Sequence, residues 1–145
     1  MLKLKKVEKK KKGPKILITG SVCPFVDVYR LFEDVGFILK DDICTGTRFF
    51  AFNTPEREIK TMEDVYEYIA DRYFNKAPCP TKHFSDDSRF QYVLDLAKDC
   101  DGVVFLLLKF CENFYDYPQL KERLEDMGKK RCLLNLNFHS SHTNN

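Results

Sequence analysis

The sequence lacks the features that mark membrane and secreted proteins. No run of 18 or more apolar residues occurs, and the lysine-rich start is not followed by an apolar segment with a small-residue cleavage site. These absences argue against export and against a membrane span. We therefore expect a cytoplasmic location, where the six cysteines stay reduced and act as thiols, metal ligands or nucleophiles.

Several short motifs with known chemistry are also missing. The chain has no C-x-x-C pair, which argues against a zinc knuckle or a ferredoxin-type cluster motif. It has no G-x-G-x-x-G or G-x-x-x-x-G-K-[ST] segment, so neither a dinucleotide site nor a P-loop is predicted. The spacing of Cys23 and Arg30 does not fit a cysteine-phosphatase loop. Of three histidines only His83 falls in the predicted domain, so a Cys-His catalytic pair would need it.

What is present is the composition of one folded domain. The 145 residues are 43% hydrophobic and 32% charged, which suffices for a single core. The net charge of +2 is unevenly distributed, because eight lysines lie in the first 15 residues. We interpret residues 1–13 as a basic disordered head, 14–138 as one domain and 139–145 as a polar tail. The domain shows no basic stripe interleaved with aromatic residues, which argues against nucleic-acid binding.

Strand and helix patterns alternate along this domain. Apolar stretches predict strands over 15–20, 37–44, 102–110 and 131–138, and helical spacing predicts helices over 27–35, 61–73, 85–97 and 118–127. The alternation predicts an α/β fold, a doubly wound, flavodoxin-like parallel sheet in the order 2-1-3-4. Ligands of such sheets bind beyond the carboxyl ends of the strands, so residues 20–23 should face residues 109–111.

The side chains best suited to chemistry are cysteines that follow the predicted strands. They are Cys23 after strand 1, Cys44 after strand 2 and Cys111 after strand 3. Thiolates from separate loops could converge on zinc or an iron–sulfur cluster, or one of them could act as a nucleophile. Cys100 and Cys132 are expected to be structural, since buried cysteine is common in cores. Cys79, between two prolines, has a role that spacing alone leaves open.

Three segments, read together, resemble a known family. They are Asp41-Asp42-Ile43-Cys44-Thr45-Gly46-Thr47-Arg48-Phe49-Phe50, then Arg72-Tyr73-Phe74 with Ala77-Pro78-Cys79-Pro80, then Leu108-Lys109-Phe110-Cys111-Glu112 with Tyr117-Pro118-Gln119-Leu120-Lys121. In this order and spacing they look like the 2-hydroxyacyl-CoA dehydratase family, which includes the 2-hydroxyglutaryl-CoA dehydratase D-component and benzoyl-CoA reductase subunits. The likeness covers about residues 14–134 and is to the C-terminal α/β domain of those subunits.

The resemblance implies a [4Fe-4S] cluster held by three cysteines, one of which would be Cys111. Three thiolates leave one iron open, and this iron can bind the thioester carbonyl oxygen of an acyl-CoA substrate. In the family, transfer of a low-potential electron to the bound thioester then gives a ketyl radical. The family receives this electron from a separate ATP-hydrolysing activator protein. The product is an enoyl-CoA or, in the reductase branch, a reduced ring. We call the carboxyl edge of the predicted sheet the rim. Further candidates at the rim are Ser21, Cys23, Cys44, Cys79 and Lys109.

The sequence departs from the family pattern in two places. The other two cluster ligands belong to an N-terminal domain that this sequence does not show, so they would come from a missing half or a second subunit. The last strand leads to a polar end at Asn145, where the family has an acidic stretch and a G-Q-x-x-T-R helix. We therefore expect a truncated or frame-altered C-terminus and a partly uncovered sheet face, which predicts either marginal stability or a partner that covers it. Two alternatives stay open: a non-catalytic α/β module without the cluster, and a cysteine-dependent hydrolase that uses Cys23 or Cys44.

Overall fold

A computed structural model describes residues 13–23, 25–50, 54, 56–79, 87–109, 111 and 115–136. Its helices and strands alternate, as the sequence pattern predicts. In chain order they are β1 (Lys15–Gly20), α1 (Val26–Asp34), β2 (Ile38–Ile43), α2 (Thr47–Phe50), α3 (Met62–Phe74), α4 (Ser88–Ala97), β3 (Gly102–Leu108), α5 (Tyr117–Asp126) and β4 (Lys130–Leu136). The predicted head and tail, apart from Gly13, lie outside the described residues, and so does His83.

The four strands form one parallel sheet in the order β2-β1-β3-β4. This arrangement confirms the predicted α/β fold and the predicted strand order. Gly20 lies opposite Ile43 on one side and Leu106 on the other. The carboxyl ends of β1, β2 and β3 therefore meet at one edge of the sheet, where doubly wound folds place their ligands.

The core lies on both faces of the two central strands. On one face, Leu17 and Val103 pack with helices α4 and α5, whose buried side chains are Val93, Ala97, Leu120 and Leu124. On the other face, Ile18, Val104 and Leu106 pack with partly buried residues of α1, Val28 and Phe32. Full burial of one such aliphatic side chain contributes roughly 1.5–3 kcal/mol, so these two clusters dominate the stability of the sheet.

Local signals explain where the helices begin and end. Thr61 and Asp64 form the capping box predicted for the start of α3: the Thr61 Oγ1 accepts a hydrogen bond from the Asp64 N–H at 3.2 Å, and the Asp64 carboxylate accepts one from the Thr61 N–H at 2.7 Å. Gly36 and Gly128 follow α1 and α5 with φ values of +95° and +67°, a backbone conformation that favours glycine at helix ends.

The apolar face of α3 is not part of the core. Met62, Tyr66, Ile69 and Tyr73 recur along one side of the helix, and between 47% and 65% of each residue is exposed. Among the described residues, α3 contributes no side chain to either core cluster. Ion pairs from Arg57 to α3 carboxylates instead link the helix to the segment before it. Helical spacing predicts this helix correctly, but it does not show what the apolar side contacts.

One expectation about the cysteines is wrong. Cys100 is buried, as expected, with 2% of the residue exposed, but Cys132 is exposed. Cys132 lies on β4, which forms an edge of the described sheet and is less covered than the central strands. In the part of the chain that the structure describes, no helix is both long and apolar enough to cross a membrane.

Candidate functional site

A tight turn after β2 brings the first candidate residues together at the carboxyl edge of the sheet. The carboxylate of Asp41 accepts hydrogen bonds from the backbone N–H and the hydroxyl of Thr47, each at 2.7 Å, and so starts α2. A Cβ on Gly46 would lie 2.1 Å from the Asp41 Oδ1, so a larger residue would displace the carboxylate that caps α2. The turn reverses the chain and places Arg48 over the end of β2.

Arg48 forms a buried two-point ion pair with Asp42. Its Nε and Nη2 donate to the two carboxylate oxygens of Asp42 at 2.7 and 2.9 Å, the side-by-side geometry that suits a guanidinium and a carboxylate. Only 4% of Arg48 is exposed, and Asp42 is fully buried. Arg48 also donates to the carbonyl of Gly20 at 3.2 Å, which ties α2 to the end of β1.

A second arginine, from α4, donates to the same carboxylate. Arg89 of α4 donates to Asp42 Oδ2 at 2.8 Å, and its Nε lies 3.4 Å from Asp116, the N-cap residue of α5. The hydroxyl of Thr19 donates to Asp42 Oδ2 at 2.7 Å. We call Thr19, Asp42, Arg48 and Arg89 the buried charge network. It links β1, β2, α2 and α4 directly beneath the rim.

The network keeps Asp42 ionised. Burial alone would raise the pKa of this carboxyl, but hydrogen bonds from Arg48 and the charges of Arg89 and Arg48 outweigh burial and place the pKa below its ordinary value of 3.8. For Arg48, burial alone would lower the pKa, but the hydrogen bonds and charge of Asp42 raise it. Both groups are therefore charged across the physiological pH range.

The lowered pKa of Asp42 predicts acid sensitivity. A carboxyl whose pKa is lower in the folded state than in the unfolded state contributes stability that is complete above the unfolded value and is lost as the pH falls through the folded value. We expect the free energy of unfolding to decrease as the pH falls below the ordinary carboxyl pKa of about 4, and Asp42→Asn to flatten part of this slope. Urea unfolding at a series of pH values measures both slopes, and identical slopes would contradict the assignment.

The structure brings two of the predicted cysteines to one pocket beside this network. Cys44 Sγ lies 3.5 Å from Arg48 Nη1 and 3.8 Å from the carbonyl oxygen of Gly20. Cys44 and Cys79 line a small pocket of about 60 Å³, together with Arg48, Phe49, Lys76 and Ala77. Within the described ranges, no group of three or more histidine, cysteine, aspartate or glutamate side chains could hold a metal ion.

Cys111 lies at the carboxyl end of β3, as predicted. Its backbone N–H donates to the carbonyl of Leu108 at 3.0 Å, which forms a turn directly after the strand, and the residue is half-buried. The neighbouring candidate Lys109 extends the pairing of the strands, because its N–H donates to the Leu136 carbonyl at 3.2 Å. Both residues are therefore fixed relative to the sheet by their backbone.

Ser21 and Cys23 have contacts that hold the loop after β1. Ser21 is buried; its N–H donates to Leu106 at 2.8 Å, and its hydroxyl accepts from the Leu108 N–H at 3.3 Å. Residue 21 thus joins the loop after β1 to the end of β3. Cys23 Sγ lies 3.4 Å from the carbonyl oxygen of Phe25. Arg30 pairs with Asp27 at 3.5 Å on the exposed side of α1, so the structure does not place Cys23 and Arg30 around a common anion.

Sequence reasoning missed the charged residues beneath the rim. Asp42 and Arg48 lie within a quoted motif, and their spacing around Gly46 is the signal that could have predicted their contact. Arg89 has no such signal, because it lies 47 positions after Asp42 in the chain. Lys76, which lines the same pocket as Cys44 and Cys79, was also missed.

Fold and rim together define a doubly wound α/β domain with thiols and a buried charge network at the carboxyl edge of its sheet. The sequence model of the 2-hydroxyglutaryl-CoA dehydratase D-component family matches residues 2–140, which is nearly the whole chain. The chain belongs to this family. The match confirms the resemblance that the three motif segments indicate.

A curated relative supports the same conclusion. Over 139 residues the chain is 31% identical to the (R)-phenyllactyl-CoA dehydratase beta subunit of Clostridium sporogenes. The alignment covers 92% of this chain and 36% of the relative. The chain therefore spans about a third of the length of the curated relative that it matches.

Proposed function

We propose that this chain forms the α/β domain of a 2-hydroxyacyl-CoA dehydratase subunit and supplies Cys111 as one ligand of a [4Fe-4S] cluster. Family membership supports the first part, and the names of both the family and the relative favour dehydration over ring reduction. The substrate would be a 2-hydroxyacyl-CoA. The partners would be the remainder of the subunit, a second subunit and an ATP-dependent activator that delivers electrons.

The observation that carries the proposal is the position of Cys111. Residues 102–107 of β3 are all buried, so this strand is the most completely buried strand of the described sheet. The Leu108–Cys111 hydrogen bond fixes the backbone of Cys111 directly beyond it. A thiolate held on a rigid element and only half-buried can bind iron and still border a substrate.

The donor atoms of the described residues fit one ligand position of a cluster, at Cys111. Cysteine thiolates are the usual ligands of iron–sulfur clusters, and within the described residues no set of three candidate ligands converges. Cys111 would hold one iron, while the other ligands would come from the part of the subunit beyond this match. When bound, such a cluster supplies an open iron site and a low-potential electron to the thioester.

The remaining rim residues would fix the geometry of the site. The Asp42–Arg48 pair fixes the turn that carries Cys44, and Ser21 fixes the loop after β1 against β3. Because loops of this kind are already ordered, they place the cluster ligand and the substrate relative to each other without a further loss of conformational entropy during the reaction. We therefore assign these residues a positioning role and Cys111 the role of ligand.

Iron and sulfide reconstitution tests the proposal. The chain is mixed anaerobically with the part of the C. sporogenes beta subunit that the alignment does not cover, and iron, acid-labile sulfide and the visible charge-transfer absorption are measured. We expect the wild-type mixture to form a cluster and Cys111→Ser to lose most of the iron and the absorption. Cys132→Ser, at an exposed cysteine on β4, is the matched control and should behave as wild type.

Two outcomes would contradict the proposal. The first is a cluster that forms equally well with Cys111→Ser, because iron would then be bound elsewhere. The second is the absence of iron and sulfide in every mixture, which would favour a non-catalytic α/β module.

A further inference from the structure

Two cysteines from separate segments of the chain meet in one pocket. Cys44 directly follows β2, Cys79 lies in the segment after α3, and both line the pocket of about 60 Å³ beside α2. Both are present as thiols and not as part of a disulfide, and both are half-buried. Because the pocket is this small, the two side chains border the same confined space. We call Cys44 and Cys79 the dithiol pair.

The contacts around the pocket hold the two segments together. At the end of α3, the backbone N–H and the Nδ2 of Asn75 both donate to the carbonyl of Asp71, at 3.0 and 2.9 Å. These bonds fix the point where the chain leaves the helix. The Nζ of the next residue, Lys76, lies 5.7 Å from the ring centroid of Phe49 on α2. The segment that carries Cys79 is therefore anchored against α2.

The backbone is restricted at both cysteines. Pro78 precedes Cys79 and Pro80 follows it, and proline fixes its own φ and limits the conformation of the residue before it. Cys44 lies in the tight turn after β2, with its Sγ 3.8 Å from the carbonyl oxygen of Gly20. Since neither segment has much conformational freedom, joining the two sulfurs would cost little additional entropy.

The charges beside the pocket favour thiolates and disfavour a metal cation. Burial alone would lower the pKa of Arg48, and the hydrogen bonds and charge of Asp42 raise it. The charges of Cys44 and Cys79 raise this pKa further, which indicates that both sulfurs lie near the guanidinium. The Nη1 of Arg48 lies 3.5 Å from the Sγ of Cys44. Lys76 lines the same pocket, so a thiolate there is attracted and an added cation is repelled.

We propose that Cys44 and Cys79 form a modification site, at which a low-molecular-weight disulfide oxidises the pair to an intramolecular disulfide. The thiolate of Cys44 attacks one sulfur of the small disulfide, the S–S bond of that molecule breaks, and one small thiolate leaves. Cys79 then loses its proton and attacks the sulfur of Cys44, which releases the second small thiolate. Two electrons pass from the protein to the small disulfide. The two protons lost by the cysteines convert the two released thiolates to thiols.

The disulfide would join the turn after β2 to the segment after α3. It would close a loop that contains α2 and α3 and would restrict the rim beside Arg48. In reducing surroundings such a bond is transient, so the pair would respond to oxidation instead of stabilising the domain permanently. Cys111 is not part of the pair. The modification therefore goes beyond the proposed function and does not depend on the cluster.

Oxidation of the full chain with glutathione disulfide tests the proposal. After oxidation the remaining thiols are alkylated, and linked peptides are identified by mass spectrometry without reduction. We expect the Cys44–Cys79 pair to be the main intramolecular link. It should form at a glutathione disulfide concentration about tenfold or more below that needed in urea, because folding raises the effective concentration of one thiol at the other. Excess dithiothreitol should restore both thiols.

Single substitutions identify the two sulfurs. Cys44→Ser and Cys79→Ser should each abolish the link and leave the other cysteine of the pair as a mixed disulfide with glutathione. Cys132→Ser removes an exposed cysteine of β4 and is the matched control, which should form the link as wild type does. Unchanged thermal unfolding of the reduced variants would show that the fold is intact.

Three results would overturn the proposal. The first is a native chain in which Cys44 and Cys79 take up glutathione but never link to each other, because the two sulfurs would then be too far apart. The second is a link that forms as readily in urea as in the native chain. The third is a main intramolecular link between other cysteines. The experiment uses no iron, so its result is separate from that of the reconstitution described above.

Discussion

Asp42→Asn is expected to lower the free energy of unfolding by about 3–5 kcal/mol, the range observed when one partner of a buried ion pair is removed. The substitution preserves the size of the side chain. It removes the negative charge that faces Arg48 and Arg89 and so leaves two buried guanidinium groups without their shared counter-charge. Since small domains are stable by only about 5–15 kcal/mol, this loss should shift the urea midpoint strongly.

The control for this prediction is the same substitution at the surface. Asp99 pairs with Lys40 at 2.9 Å, but its side chain is 56% exposed, so solvent screens the pair and Asp99→Asn should cost much less than Asp42→Asn. Equal losses for Asp42→Asn and Asp99→Asn would show that the buried charge network does not stabilise the domain. Adding Arg48→Met to Asp42→Asn should recover part of the loss, because one uncompensated buried cation is then removed.

Gly20→Ala is expected to prevent folding or to cost more than about 4 kcal/mol, which only severe local conflicts reach. A Cβ at this position would lie 2.2 Å from the backbone oxygen of Leu106. This atom cannot move away easily, because the same oxygen accepts the Ser21 N–H hydrogen bond at the end of the central strands. The φ of +125° adds strain for any residue with a side chain.

Gly36→Ala separates the steric conflict from the backbone strain. Gly36 also has a positive φ, of +95°, but nothing lies within 4 Å of a Cβ built there. Its replacement should therefore cost only conformational strain, about 1–3 kcal/mol. Circular dichroism and the yield of soluble protein distinguish the two variants. Similar behaviour would mean that the close approach of Gly20 to Leu106 is not decisive.

The sequence predicts the sheet well because burial leaves a local pattern. The apolar run over 102–110 predicts β3, and helical spacing predicts four of the helices, which the structure confirms. The short helix α2 escapes this kind of reasoning because four residues are too few to show a period. It forms because Asp41 caps it, a contact that only the folded turn reveals. Exposure of the α3 apolar side and of Cys132 is invisible in the pattern, since periodicity does not say what covers a surface.

The candidate site is predictable only in part. The placement of Cys44 and Cys111 at strand ends follows from the order of strands and helices, which the local sequence pattern predicts. Contacts between distant segments leave no local trace: Arg89 meets Asp42 only because α4 packs against the sheet. The pocket that Cys44 and Cys79 line likewise joins residues of α2 to the segment after α3, which no local pattern predicts.

The buried charge network also has a consequence for the order of folding. Asp42 lies on β2 and Thr19 on β1, whereas Arg89 lies on a helix that follows much later in the chain. A partly assembled form with β1 and β2 paired but α4 undocked would leave the carboxylate without Arg89, one of its two cations. Such a form is penalised electrostatically, so sheet assembly and docking of α4 become coupled. Charges that fix the rim in the native state thereby make the folding transition more cooperative.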